Sequence, residues 1–296
     1  MAIRSSPGVI MVDIQKYMTL LDCPYCHNTS AAEIAQEPRV VRCNTCGLCR
    51  ASPRMSREGQ VLYLKKFNDE SNLANWPNPL NYSPYSVHEA QGLKMNFPDA
   101  FTGGKILDVG AANGVFLAAL KHAGATKAIG LDPMEKLVES GKSKGLDIHV
   151  ARFEPDGVPA AVADGTFDII CFRESIYYLP DLRETFDLLR QLLRPGGGLY
   201  ITSHVLTSIY YWKNRDYLSR YGLNVSGMPA GKAIPNILIK EGYEIQKADY
   251  PPFNVLHTLG LPFAQSFWGR IIGGSLSPIV CGVGKGDRLY VFARRL

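Results

Sequence analysis

Two cysteine pairs, CPYC at Cys23–Cys26 and CNTC at Cys43–Cys46, stand sixteen residues apart. A CxxC pair folds as a tight knuckle that points both sulfurs at one spot. Two knuckles brought together offer four thiolates in a tetrahedron, the arrangement zinc prefers. Four thiolates leave no position open for water, so such a zinc would be structural and not catalytic. Gly47 is available for the turn of the second knuckle. Cys49 extends that knuckle to CNTCGLC, a run that also suits an iron–sulfur cluster. That alternative leaves either one knuckle incomplete or five ligands for four places. Cys49 is better read as a small buried apolar residue on the strand that follows.

A second constellation lies in KILDVGAANG, Lys105–Gly114. A strand stops at Asp108, Gly110 permits a sharp turn, and Gly114 opens a helix with its first amides free. A dinucleotide fingerprint would need glycine two and five residues after Gly110, where Ala112 and Val115 stand. Asp132 ends the next strand, where a carboxylate can accept both hydroxyls of a ribose. That position supports nucleoside binding without choosing the cofactor. His204 follows a strand at the edge where ligands bind, and an imidazole with an ordinary pKa near 6.5 suits a general base. His88, in YSPYSVHEAQG, is the weaker alternative for that role.

These residues need elements to hold them. Strand-like runs recur at 105–110, 128–132, 147–151, 167–172 and 198–203. Between the last two, Leu182, Phe186, Leu189 and Leu193 recur at helical spacing, and RPGGG ends that helix. Near-continuous apolar strands alternating with helices imply a parallel sheet covered on both sides. Segments 243–250 and 288–295 follow as further strands. The expected class is α/β: an open, mostly parallel sheet with helices on both faces behind a small N-terminal zinc ribbon. The formal charge of +5 is concentrated in residues 1–66, with nine Lys/Arg against five Asp/Glu. A solvated basic face explains this, and an anionic or nucleic-acid partner is the alternative. No secretory signal or run of about 18 apolar residues is read from the chain. With five of the seven cysteines within Cys23–Cys49, the expectation is a reducing, cytoplasmic setting.

The pattern acidic-x-Gly-x-Ala-x-Gly resembles the first motif of the Rossmann-like, class I S-adenosylmethionine-dependent methyltransferases. GTFDIICFRESIYYLPDLRETFDLLRQLLRPGGGLYI resembles the family's fourth strand, following helix and Pro-Gly-Gly turn. With CPYC…RVVRCNTCGLCRASPR in front, the chain is similar to a group of such enzymes with a zinc-ribbon head. The resemblance covers roughly residues 20–250 and 286–296. It implies a seven-stranded sheet, a zinc-ribbon head with its arm over 1–66 and a methyltransferase domain over 67–296. It further implies that Asp108, Gly110, Ala112, Asn113, Gly114, Asp132, Pro133, Phe153, Glu154 and Arg173 hold S-adenosylmethionine. Relatives commonly carry Glu-His just before LPD; here Tyr177 and Tyr178 stand there. The Tyr178 hydroxyl could position a substrate, while aromatic packing explains Tyr177 equally well, and His204 is left as the base. Two segments, 205–229 and 251–284, read as lids; the second also suits a dimer contact or peripheral lipid contact. The expected function is methyl transfer, chiefly O-methylation, to a small molecule or glycan unit. RNA methylation and a non-catalytic binding role are the alternatives.

Overall fold

The computed structural model describes residues 17–36, 39–70, 76–163, 165–206, 208, 211, 233–251 and 286–296. The N-terminal arm before Tyr17 and nearly all of both expected lids lie outside the described residues.

The chain opens with β1 (Met18–Thr19), β2 (Ala31–Gln36), β3 (Arg39–Cys43), β4 (Cys49–Ala51) and β5 (Arg54–Met55). Strands β2, β3 and β4 form an antiparallel three-stranded sheet, and β1 pairs with β5. Helices α1 (Arg57–Glu70), α2 (Pro84–Asn96) and α3 (Pro98–Phe101) lead into the larger unit. Helix α1 runs across the boundary expected at residue 66.

The larger unit then alternates: β6 (Lys105–Val109), α4 (Val115–His122), β7 (Lys127–Asp132), α5 (Glu135–Lys142), β8 (Ile148–Val150), α6 (Ala160–Ala163) and β9 (Phe167–Arg173). A 3-10 turn (Ile176–Tyr178), α7 (Leu182–Leu192), β10 (Leu193–His204), α8 (Ala233–Lys240), β11 (Tyr243–Asp249) and β12 (Arg288–Arg295) follow. The seven-stranded sheet has the order β11-β12-β10-β9-β6-β7-β8. β6 to β10 run parallel, and β12 is inserted antiparallel to both β10 and β11. Strand β10 starts five residues earlier than the sequence suggests, with a register break between Leu193 and Gly198 where RPGGG cannot hold a regular ladder.

The sheet separates two cores, and its two-residue alternation decides which side chain enters which. Leu107, Val109, Ile170, Phe172, Leu199, Ile201 and Val291 face one core with α7 and α8. Ile106, Ile169, Cys171, Tyr200 and Phe292 face the other, with α2, α3 and α4. The small N-terminal sheet does not stand apart. Cys23, Tyr25, Val40, Leu48 and Cys49 belong to the same apolar cluster as Phe186 and Leu189 of α7.

Candidate functional site

Val109 and Asp108 end β6, and the loop after them folds back on β7: the Gly110 and Ala111 amides both donate to the Leu131 carbonyl, at 2.8 and 3.0 Å. Gly110 has φ +80°, and a Cβ there would come within 2.5 Å of Ser175 Cβ. Glycine is therefore required twice over, by conformation and by space. Gly114 caps α4 at φ +85°, pressed on Leu146. Ala112 is left-handed at φ +51° and its amide donates to Asp132 Oδ2 at 2.8 Å, while Asp132 Oδ1 accepts from the Met134 amide at 2.9 Å. Asp132 thus fixes the loop and still keeps lone pairs on both oxygens. Burial pushes its carboxyl up to about 6, against the two amide bonds that favour the anion. Asp108 is more confined: its Oδ1 has no hydrogen-bond partner among the described residues, and burial pushes its carboxyl up to about 7, partly offset by Arg173.

Beyond the carboxyl ends of β6, β7 and β9 lies a cavity of about 500 Å3, the size of a small-molecule site. Gly110, Asp132, Pro133, Phe153 and Glu154, all expected cofactor residues, line one side. Glu174, Ser175, Tyr178, Leu179 and Pro180 line the other. Gln60, Tyr63 and Leu64 of α1, together with Trp76, complete the wall. Phe153 is buried edge-on against Phe172, with ring centroids 5.4 Å apart, so its ring is a floor fixed by the core. Glu154 is paired with Arg152. Asp108, Ala112, Asn113 and Gly114 support the loop from outside the wall; Asn113 Nδ2 donates to the Pro77 carbonyl at 2.7 Å. Arg173 also lies outside the wall. Its guanidinium donates to buried Glu89 at 2.5 and 3.1 Å and stacks on Phe116, and Glu89 takes the Tyr200 hydroxyl as well.

His204 ends β10 and is 6% exposed. Its Nε2 lies 3.1 Å from Glu174 Oε2, and it contributes nothing to the described cavity wall. Burial pushes the imidazole below its ordinary value, opposed by the neighbouring Glu174 carboxylate. Tyr177 is buried and donates to Glu174 Oε2 at 3.1 Å, whereas Tyr178 is 40% exposed and lines the cavity. Tyr177 is therefore anchored packing and Tyr178 faces the space where a ligand would sit. His88 is exposed on α2 and lines no part of the cavity. Glu174, Arg288 and the α1 residues escape sequence reasoning. Arg288 becomes visible only once β12 is known to be antiparallel, which sets Arg288 opposite His204.

The four expected metal ligands converge: one sulfur from each of Cys23, Cys26, Cys43 and Cys46 lies within 4.8 Å of every other. The closest pairs, Cys23–Cys46 and Cys26–Cys43, are 3.4 and 3.5 Å apart. Zinc–sulfur bonds of about 2.3 Å in a tetrahedron imply sulfur edges near 3.8 Å, so the donor set fits zinc. Each knuckle closes on a left-handed residue: the amides of His27 (φ +54°) and Gly47 (φ +77°) donate to the Cys23 and Cys43 carbonyls, at 3.0 and 2.9 Å. Cys49 stands outside the set, fully buried on β4, and burial pushes its thiol up to about 12.

The methyltransferase domain family, Methyltransf_23, matches residues 88–234. A ubiquinone biosynthesis O-methyltransferase of Aromatoleum aromaticum is 31% identical over 162 residues, which covers 50% of this chain and 64% of that protein. The chain thus spans less than two thirds of that relative. An S-adenosylmethionine-dependent methyltransferase structure from Thermotoga maritima superposes with TM-score 0.53 at 17% identity, covering 80% of this chain and all of that one. A geranyl diphosphate methyltransferase structure in complex with GPP and sinefungin gives TM-score 0.57 at 15% identity, with the same two coverages. At such identities the structures speak for the fold alone. Residues 88–234 match the methyltransferase domain family, and the chain superposes on the fold of these S-adenosylmethionine-dependent methyltransferase structures.

Proposed function

We propose that the chain transfers a methyl group from S-adenosylmethionine to a hydroxyl oxygen of a small molecule or glycan unit. The observation that carries this reading is the cavity against Gly110, Asp132 and Phe153, which meets an acidic, histidine-backed cluster at its far side. The residues fit the donor. Asp132 keeps a lone pair on each oxygen for the ribose, the Gly110 backbone lines the cavity, and the buried Asp108 carboxyl, its Oδ1 without a hydrogen-bond partner among the described residues, stands beside the loop. When bound, the donor supplies a methyl made electrophilic by a sulfonium. The protein's tasks are to align the acceptor, exclude water and remove one proton. Tyr178, on the cavity wall, orients the acceptor, and His204 serves proton removal through its contact with Glu174. The Aromatoleum relative is an O-methyltransferase, which supports oxygen as the methyl acceptor.

RNA is the weaker reading on this structure. Arg50 and Arg54 of the ribbon are buried, and Arg39 and Arg57 are paired with Glu33 and Glu184. Four of the nine Lys/Arg of residues 1–66 are thereby withdrawn from a phosphate track. The four-cysteine set is assigned a structural zinc, held by Cys23, Cys26, Cys43 and Cys46.

Calorimetry with S-adenosylhomocysteine tests the donor site. The native protein should bind it, and Asp132→Ala should weaken binding by about tenfold or more, the worth of two hydrogen bonds to a carboxylate. Transfer of labelled methyl to a panel of catechol, simple glycosides and RNA then tests the acceptor. Absence of product binding, or label found in RNA alone, refutes the proposal.

A further inference from the structure

We propose that Glu174 is the catalytic residue that takes the acceptor's proton, with Arg288, His204 and Tyr177 as its positioning residues. The inference rests on the methyl-transfer reading and assigns the proton to a residue that reading does not single out.

Glu174 is the first residue after β9 and lines the cavity, with its side chain 27% exposed against 7% for His204. Glu174 thus lines the cavity and contacts the imidazole, which does not line it. Its backbone is left-handed at φ +55°, a conformation that disfavours residues other than Gly and Asn. The strain is held by the Glu174 amide, which donates to both the carbonyl and the hydroxyl of Thr202, each at 3.1 Å. A strained residue pinned at the mouth of a cavity is where a fold pays for a functional side chain.

The two oxygens differ. Oε2 accepts from the Tyr177 hydroxyl and faces His204 Nε2, both at 3.1 Å, which uses its two lone pairs. Oε1 accepts from Arg288 Nη1 at 2.5 Å and, among the described residues, keeps its second lone pair. The His204 imidazole is packed against Oε2, and Tyr211 lies edge-on against it with ring centroids 5.8 Å apart. Among the described residues, the charged and titratable groups around the carboxylate are Arg288 on β12 with Asp287 beside it, His204 on β10 and Tyr177 in the following turn.

The acceptor oxygen forms a bond to the methyl carbon while the carbon–sulfur bond breaks, its electron pair staying on sulfur as a neutral thioether. The hydroxyl proton passes to Oε1. As the new bond forms the acceptor oxygen becomes positive and strongly acidic, so a carboxylate suffices as base where a resting hydroxyl would resist it.

Catechol as acceptor and S-adenosylhomocysteine as binding probe test this. Glu174→Gln should lower kcat by about 100-fold or more, the scale of a lost general base, with product affinity within about threefold of native. The acid limb of the kcat/KM profile should vanish in that variant, and Glu174→Asp should recover part of the rate. His204→Gln, whose amide can donate, should lose about tenfold at most and keep the limb. The proposal is overturned if Glu174→Gln keeps its rate, if it loses product binding in step with rate, or if His204→Gln alone removes the limb. A native protein that binds the product yet methylates no hydroxyl compound of the panel overturns it together with the hydroxyl reading. A native protein that binds no product refutes the donor site first, which calorimetry shows before any rate is measured.

Discussion

Asp108 shows what one buried carboxyl implies. Its raised pKa, about 7, follows from burial, with the nearby Arg173 offsetting only part of that cost. Between the unfolded value near 3.9 and about 7 the folded protein holds a proton that the unfolded chain releases, so stability falls as pH rises through that window. Above it the cost of the buried charge is fully present. Asp108→Asn should therefore raise the thermal midpoint of the ligand-free protein at pH 8, leave it nearly unchanged at pH 4, and weaken product binding at both. Melts at the two pH values check it, and a midpoint at pH 8 that fails to rise would deny the charge its cost. Asp108, Gly110 and Asp132 were legible in the sequence because their spacing is local: strand end, turn, strand end. Glu174 was not, since its partners Thr202, His204 and Arg288 are remote in sequence and meet it only through strand register.

Among the elements, α7 and the loop after β6 carry the most specific local chemistry. Asp181 caps α7, its Oδ1 accepting from the Arg183 and Glu184 amides at 2.8 and 3.0 Å. Asp181→Ala should cost about 1 kcal/mol in urea unfolding, and Asp181→Asn much less, because asparagine caps nearly as well. Gly110→Ala should cost more, about 2 kcal/mol or above, from the left-handed backbone together with the collision with Ser175. It should abolish product binding even where the variant folds. Helical spacing announced α7, and strand-like runs announced the strands of the large sheet, whose successive residues enter the two cores in turn. Helix α1 was missed: its Tyr63 and Leu64 are spent on the cavity wall, and no clean apolar stripe betrays it.

At the scale of the molecule, the cysteine-bearing head is seated on the very segment that walls the cavity. The Leu182 amide donates to the Pro24 carbonyl at 2.7 Å, and Arg54 donates to the Pro180 carbonyl at 3.1 Å. The Tyr25 hydroxyl donates to Glu241 at 2.7 Å, and its ring meets Phe186 edge-on. The chain then leaves the head directly into α1, on another side of the same cavity. Metal analysis should find about one zinc per chain and no iron–sulfur absorbance. Stripping the metal with a chelator should lower the thermal midpoint and also weaken S-adenosylhomocysteine binding several-fold, because two walls lose their anchor. Unchanged affinity in a metal-free but folded protein would separate head from cavity. Sequence alone supplied the four cysteines of this head but not where it docks, which depends on Pro24 meeting α7, Arg54 the loop before it, and Tyr25 both α7 and Glu241 just after α8.

The antiparallel insertion of β12 bears on how the molecule is made. During synthesis β11 emerges well before β12, yet among the described residues β12 is its sole ladder neighbour. Until Arg288–Arg295 leave the ribosome, the growing sheet has an open slot beside β10, β11 has nowhere to pair, and Glu174 lacks its cation. A nascent chain halted just short of Arg288 would therefore show the parallel half of the sheet assembled and the proton-accepting corner still unformed.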